Sequence, residues 1–187
     1  MNGINDKKLI FVFTGPDGSG RKTVAQKVGA SSELQRVLSY TTRPSRLYEK
    51  DGIDYHFITL EQFVEAEQNN EFIETIEIEG VFYGIKSKDI EAMFQVHQYV
   101  YLILNRQGAE LVKRIFGEKV IRIMIYADRN QVMSRLLERG DTTEVIYKKL
   151  EYYEQELSYS KECDHKVENY DLDETVDEVS EIVNKYK

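Results

Sequence analysis

The stretch Leu9-Ile10-Phe11-Val12-Phe13-Thr14-Gly15-Pro16-Asp17-Gly18-Ser19-Gly20-Arg21-Lys22-Thr23 limits what this chain can fold into more than any other. Its apolar start is unbroken and bounded by Gly and Pro, the pattern of a buried strand. A glycine-rich turn follows and ends in two cations and a threonine, after which Lys22 to Val28 reads as a helix ending near Gly29. Glycines let backbone N–H groups point inward, and the helix start adds the positive end of its dipole, so the unit is built to cradle phosphate. Gly15 and Gly20 have the P-loop spacing, but Arg21 stands where that pattern has lysine, and Lys22 comes one place later. The plain alternative is a turn that binds nothing; the flanking strand and helix favour the cradle.

Strands are expected at Arg36 to Tyr40 (short), Tyr99 to Leu104 (buried), Val120 to Ala127 and Lys166 to Asn169 (short), alternating with helices at Arg106 to Phe116, Asp128 to Gly140, Thr143 to Lys161 and Leu172 to Tyr186. That alternation predicts an α/β core with a parallel sheet. Thr41 to Gly52 is irregular, because Pro44 bars a helix. Tyr55 to Ile58 is a brief strand, and Thr59 with Gln62 is a capping box opening a helix. Phe72 to Ile78, the turn Glu79-Gly80 and the return from Val81 pattern as an antiparallel pair, followed by a helix over Ser87 to Phe94. Residues from about 41 to 87 therefore break the α/β rhythm and read as an inserted subdomain. Gly140-Asp141-Thr142, between two helices, reads as part of a lid. Asp128 with Gln131 is a second expected capping box, and Tyr147, Tyr152, Tyr153 and Tyr159 are an expected packing face.

The chain has 187 residues, the size of one domain, and a net charge of −8, which argues against a general nucleic-acid binder. The charge is uneven: Met1 to Lys50 holds nine Lys/Arg against four Asp/Glu, and Cys163 to Lys187 holds three against eight. A basic segment in an acidic chain suggests a focused anion site. One cysteine, a polar start and no long apolar run suggest a reducing compartment, no membrane and the cytoplasm by default. The three scattered histidines and Cys163 have no metal-ligand spacing.

Thr41-Thr42-Arg43, Arg46, Glu49, Gly52 and Asp54-Tyr55 follow one another at the spacing of a known acceptor-site signature, which also begins with a serine. Phe72-Ile73-Glu74, Gly80-Val81-Phe82-Tyr83-Gly84, Gln107-Gly108-Ala109, Arg135-Leu136 with Arg139-Gly140, and Glu156-Leu157 extend the match in order. The chain resembles the guanylate kinase family of P-loop nucleoside-monophosphate kinases over nearly its whole length. The resemblance implies a three-layer P-loop core (1–40 and 88–187), an acceptor-binding insertion over about 41–87 and a helical lid over about 128–161. It also implies phosphoryl transfer from ATP with Mg²⁺ to a nucleoside monophosphate, GMP by default.

On this resemblance Gly15, Asp17, Gly18, Ser19, Gly20, Arg21, Lys22 and Thr23 bind ATP, with Thr23 at the metal position. Ser39, Arg43, Arg46, Tyr55, Glu74, Tyr83 and Asn105 form the GMP site. Two arginines three residues apart can converge on one phosphate, and the Glu74 carboxylate would accept hydrogen bonds from guanine. Arg21, Lys22, Arg135, Arg139 and Lys149 are the catalytic candidates; Arg135 and Arg139 share a helix face, where pairing with surface acids is the simpler alternative. Arg21, Ile85, Ile103 and Asn105 depart from the family pattern, as does Tyr170 after Asn169. These departures leave two other readings open: a module that keeps the fold and binds a nucleotide or a protein partner without catalysis, or a P-loop kinase with another phosphorylated acceptor.

Overall fold

The structure is a computed structural model that describes residues 8–187, apart from the Glu74 side chain. The elements begin with β1 (Leu9–Thr14), α1 (Arg21–Ser31), β2 (Gln35–Arg36), β3 (Tyr40–Thr41), β4 (His56–Phe57) and α2 (Leu60–Gln68). Next come β5 (Phe72–Ile78), β6 (Val81–Lys86), α3 (Ser87–Val96), β7 (Tyr99–Ile103) and α4 (Arg106–Phe116). The chain ends with β8 (Val120–Tyr126), α5 (Arg129–Glu138), α6 (Thr143–Ser158), β9 (His165–Glu168) and α7 (Leu172–Tyr186). The described residues form two compact units, one of residues 35–102 with Lys8, the other of residues 9–34 and 103–187.

In the second unit β1 pairs in parallel with β8, and β8 in parallel with β9. All six residues of β1 are buried, as expected for a strand covered on both faces. Helices α1 and α4 pack on β1 and β8, and α7 packs on α1 and β9. Helix α1 runs past its expected end, because Gly29 is buried in it and accepts the Leu34 N–H at 2.9 Å. The buried face of α7 is Thr175, Val179, Ile182 and Val183.

Asp128 caps α5, but through the Asn130 N–H at 2.8 Å, and the Gln131 side-chain oxygen is buried without a partner, so the expected box does not form. The residue Gly140 takes a φ of 87° just past α5, as a helix-ending glycine should. Helix α6 gives way at Tyr159 to a 3₁₀ turn. Only part of the expected tyrosine face packs: Tyr153 and Tyr159 are buried, whereas Tyr147 and Tyr152 are exposed. A helix buries one side, and these four residues do not share one. Val132 and Leu136 of α5 meet Ile146, Leu150 and Tyr153 of α6 and Ala127 in one cluster. The buried Tyr153 hydroxyl donates to the Ala127 carbonyl at 2.7 Å. Tyr153→Phe would leave that carbonyl without this donor, and we expect a loss of about 1 kcal/mol in urea unfolding.

In the first unit β2 and β7 pair in parallel, and a four-stranded sheet has the order β4-β3-β6-β5. The single strand expected over Arg36 to Tyr40 is two, β2 and β3, which pair with different partners. The hairpin β5–β6 is antiparallel as predicted, with Glu79 and Gly80 both at positive φ (53° and 78°), the geometry a tight hairpin turn needs. A bulge between Phe72 and Glu74 interrupts the simple alternation of β5. The Thr59–Gln62 capping box on α2 forms with both its hydrogen bonds, at 2.9 and 3.2 Å. Among the described residues no helix is long and apolar enough to cross a membrane.

Candidate functional site

Each unit carries its own group of candidate residues. In the second unit β1 ends at Thr14 and the chain turns through Gly15 to Gly20 into α1. Gly15 adopts a φ of 141°, and a Cβ there would lie 1.9 Å from the Ile125 carbonyl oxygen, so only glycine fits. Gly20 has a φ of 85°, and a Cβ there would fall 2.3 Å from Asn169 Nδ2. The Ser19 N–H closes the turn on the Pro16 carbonyl at 3.2 Å. Helix α1 starts with no side-chain cap and no acid in its first turn. The dipole of such a helix start favours an anion. The buried hydroxyls of Thr14 and Ser19 make no hydrogen bond. Donors left in this state at a helix start suit a phosphate ligand.

The loop is held from behind. Arg135 Nη1 and Asn169 Nδ2 both donate to the Ser19 carbonyl, at 3.1 and 2.8 Å, and Arg135 Nη2 donates to the Asn169 carbonyl at 2.9 Å. Arg135, expected on the same task as Arg139, is thus a brace for the loop backbone. Arg21 reaches back across the loop and donates to the Gly15 carbonyl. Lys22 lies half-buried in the first turn of α1, and Thr23 is exposed there. Arg139 Nη1 and Nη2 face Asp17 Oδ1 and Oδ2 at 3.2 and 3.3 Å, and Lys149 Nζ lies 2.9 Å from Asp17 Oδ2. Asp141 pairs with the same two cations, accepting from Arg139 Nε at 3.1 Å and from Lys149 Nζ at 2.6 Å. Burial pushes the Arg139 guanidinium towards losing its proton, but the hydrogen bonds it donates to Asp141 and Asp17 outweigh this and hold its pKa above the usual value. Asn105 caps α4, its side-chain oxygen accepting the Gly108 N–H at 3.0 Å.

In the first unit Arg43 donates to both oxygens of Glu49, at 2.7 and 3.0 Å, and to the Pro44 carbonyl at 2.9 Å. Its guanidinium carbon lies 5.1 Å from the centre of the Tyr55 ring and 5.5 Å from that of Phe57. Burial works against its charge, but the Glu49 hydrogen bond and charge outweigh burial and raise its pKa. Tyr55 meets Tyr83 edge-on at 6.3 Å. Arg46 is exposed, and its backbone N–H donates to Glu49 at 3.0 Å. Ser39 is buried, its carbonyl accepting the His56 N–H at 2.9 Å. Glu74 pairs with Ile85 across the hairpin, and its side chain lies outside the described residues. Arg43, Glu49, Tyr55 and Tyr83 are therefore brought together.

Asp141, expected only as part of a lid turn, and Asn169, expected only as the residue before Tyr170, each make several contacts in the site. Asp141 carried one usable signal, its place two residues after Arg139 and eight before Lys149. Asn169 carried only its place in the family pattern before Tyr170, and its contact with Ser19 joins positions 150 residues apart.

A strand that runs through a glycine turn into a helix, beside parallel strands flanked by helices, defines a P-loop α/β protein. The comparisons narrow this class. The guanylate kinase family matches residues 7–186. A guanylate kinase of Chlorobaculum tepidum is 36% identical over 179 residues, covering 94% of this chain and 91% of that protein. One from Anaplasma phagocytophilum is 32% identical, covering 94% of this chain and 85% of that protein. The crystal structure of guanylate kinase from Anaplasma phagocytophilum superposes with a TM-score of 0.77 at 29% identity, covering 97% of this chain and 87% of that one. The chain belongs to the guanylate kinase family.

Proposed function

We propose that this chain transfers the γ-phosphoryl group of ATP to GMP, giving ADP and GDP. The observation that carries this is the match to guanylate kinase over residues 7–186. Phosphoryl transfer asks a protein for positioning and neutralisation of charge more than for covalent chemistry. The loop from Gly15 to Thr23 binds the donor phosphates with its N–H groups and with Lys22. Arg21, tied to the Gly15 carbonyl, serves the loop's shape and its positive field. The exposed Thr23 hydroxyl would offer an oxygen ligand to Mg²⁺ bound with ATP, and the ion would supply neutralisation of phosphate charge. Arg139 and Lys149 neutralise charge on the transferred group, and Arg135 acts through the loop it braces.

Arg43, Arg46, Tyr55 and Tyr83 take the acceptor phosphate, Ser39 lies beside them in sequence, and Glu74 reads guanine. Asn105, the remaining acceptor candidate, caps α4. We assign the acceptor-binding part to about 41–87, the lid to about 128–161 and the remainder of 1–187 to the core. The chain works in the cytoplasm on small nucleotides, without nucleic acid or membrane. The readings as a non-catalytic module or a kinase for another acceptor are disfavoured, because the relatives described above are named guanylate kinases. A coupled ADP-release assay with ATP, Mg²⁺ and each of GMP, AMP, CMP and UMP tests the proposal. Turnover is expected with GMP far above the others; no turnover with any of them would overturn it.

A further inference from the structure

A loop built to receive phosphate contains a carboxylate of its own, Asp17. Its Oδ1 accepts the Gly18 N–H at 3.0 Å, which occupies one of the loop's donors. Asp17, Arg139, Asp141 and Lys149 close a ring in which each cation touches both acids. With two charges of each sign the ring is neutral. The two cations proposed to meet the triphosphate are therefore already paired in the nucleotide-free chain. Burial pushes the Asp17 carboxyl up, but the hydrogen bond and charge of Arg139, followed by the charges of Lys149 and Arg21, outweigh burial and hold it well below the usual carboxylate range. It is charged at any working pH.

The two acids are not equivalent. Asp141 lies in the turn between α5 and α6 and stays with Arg139 and Lys149, which flank it in sequence. It accepts from Arg139 at 2.5 and 3.1 Å and from Lys149 at 2.6 Å. Asp17 belongs to the phosphate loop, and its shortest contact to the ring is longer than the shortest of Asp141, at 2.9 Å against 2.5 Å. A phosphate entering the loop meets the like charge of Asp17, whereas Asp141 only orients the cations.

We propose that Asp17 is a built-in anion that occupies Arg139 and Lys149 in the absence of nucleotide and sets the affinity for the donor triphosphate by competing with it. The proposal rests on the donor-site reading above. Binding of ATP then exchanges the Asp17 contacts for phosphate contacts, with Asp141 keeping both cations in place. Calorimetric titration of the full chain with ATP and with tripolyphosphate, which has no base, tests this in wild type, Asp17→Asn and Asp17→Ser. Asn keeps an acceptor for the Gly18 N–H, and circular dichroism establishes that each variant is folded; if Asp17→Asn does not fold, Asp17→Ser decides. Both probes are expected to bind about tenfold more tightly to the variants, the scale of removing one close like charge. Unchanged or weaker tripolyphosphate binding in the folded variants would overturn the proposal. The GMP turnover assay on wild type fails independently: absent turnover with tighter tripolyphosphate binding in the variants sinks the kinase reading and leaves the Asp17 competition standing.

Discussion

Gly15→Ala is expected to destabilise the chain by about 3 kcal/mol and to weaken ATP binding about 100-fold. Two costs combine. The φ of 141° at this position is one that side chains rarely adopt. The new Cβ would also lie 1.9 Å from the Ile125 carbonyl oxygen and 3.0 Å from its carbon, both backbone atoms of β8. That backbone cannot give way easily, because Ile125 is paired with Val167 of β9 in the interior of the sheet. The turn must move instead, and with it the Ser19 carbonyl that Arg135 and Asn169 hold. A displaced loop no longer aims its N–H groups at one point. Urea unfolding with an unchanged slope, together with an ATP titration, measures both effects. Gly117→Ala is the control: its φ is also positive, at 56°, but nothing lies within 4 Å of the added atom. It should show only the backbone cost of about 2 kcal/mol and normal ATP binding.

Arg43→Met is expected to raise the KM for GMP about 100-fold and to lower stability by about 3 kcal/mol. The double effect follows from what the guanidinium touches. It makes a two-pronged pair with Glu49, and the two side chains are only 14% and 8% exposed. Methionine keeps much of the packing against Tyr55 and Phe57 but takes away this charge partner of a buried carboxylate. Arg46→Met separates binding from structure. Arg46 is exposed and touches Glu49 through its backbone N–H, which methionine retains. It should raise the KM for GMP at nearly wild-type stability. Normal GMP kinetics in Arg43→Met with lowered stability would make Arg43 a purely structural residue.

Local features were legible wherever the physics was local. The Thr59–Gln62 box, the Glu79-Gly80 hairpin turn and the glycine stop after α5 formed as their residue types require. The Asp128–Gln131 box did not form, although its pattern is the same, because the Gln131 side-chain oxygen is buried away from the Asp128 N–H. The tyrosines of α6 were read as one face from composition, yet burial divided them. Periodicity places residues on a helix but does not say which arc the rest of the fold covers.

The site divides in the same way. By itself the sequence determined that a strand, a glycine turn and a helix start would make a phosphate cradle, because backbone dihedral freedom and the helix dipole are properties of neighbouring residues. It also determined the family, through motifs in fixed order. Only the tertiary structure decided what the charged side chains do. Arg135 braces the Ser19 carbonyl, Arg43 is held by Glu49, and Arg139 and Lys149 are shared between Asp17 and Asp141. The reason is physical: a long cationic side chain goes to the nearest well-placed anion or carbonyl, and where that partner lies in space depends on how distant segments pack.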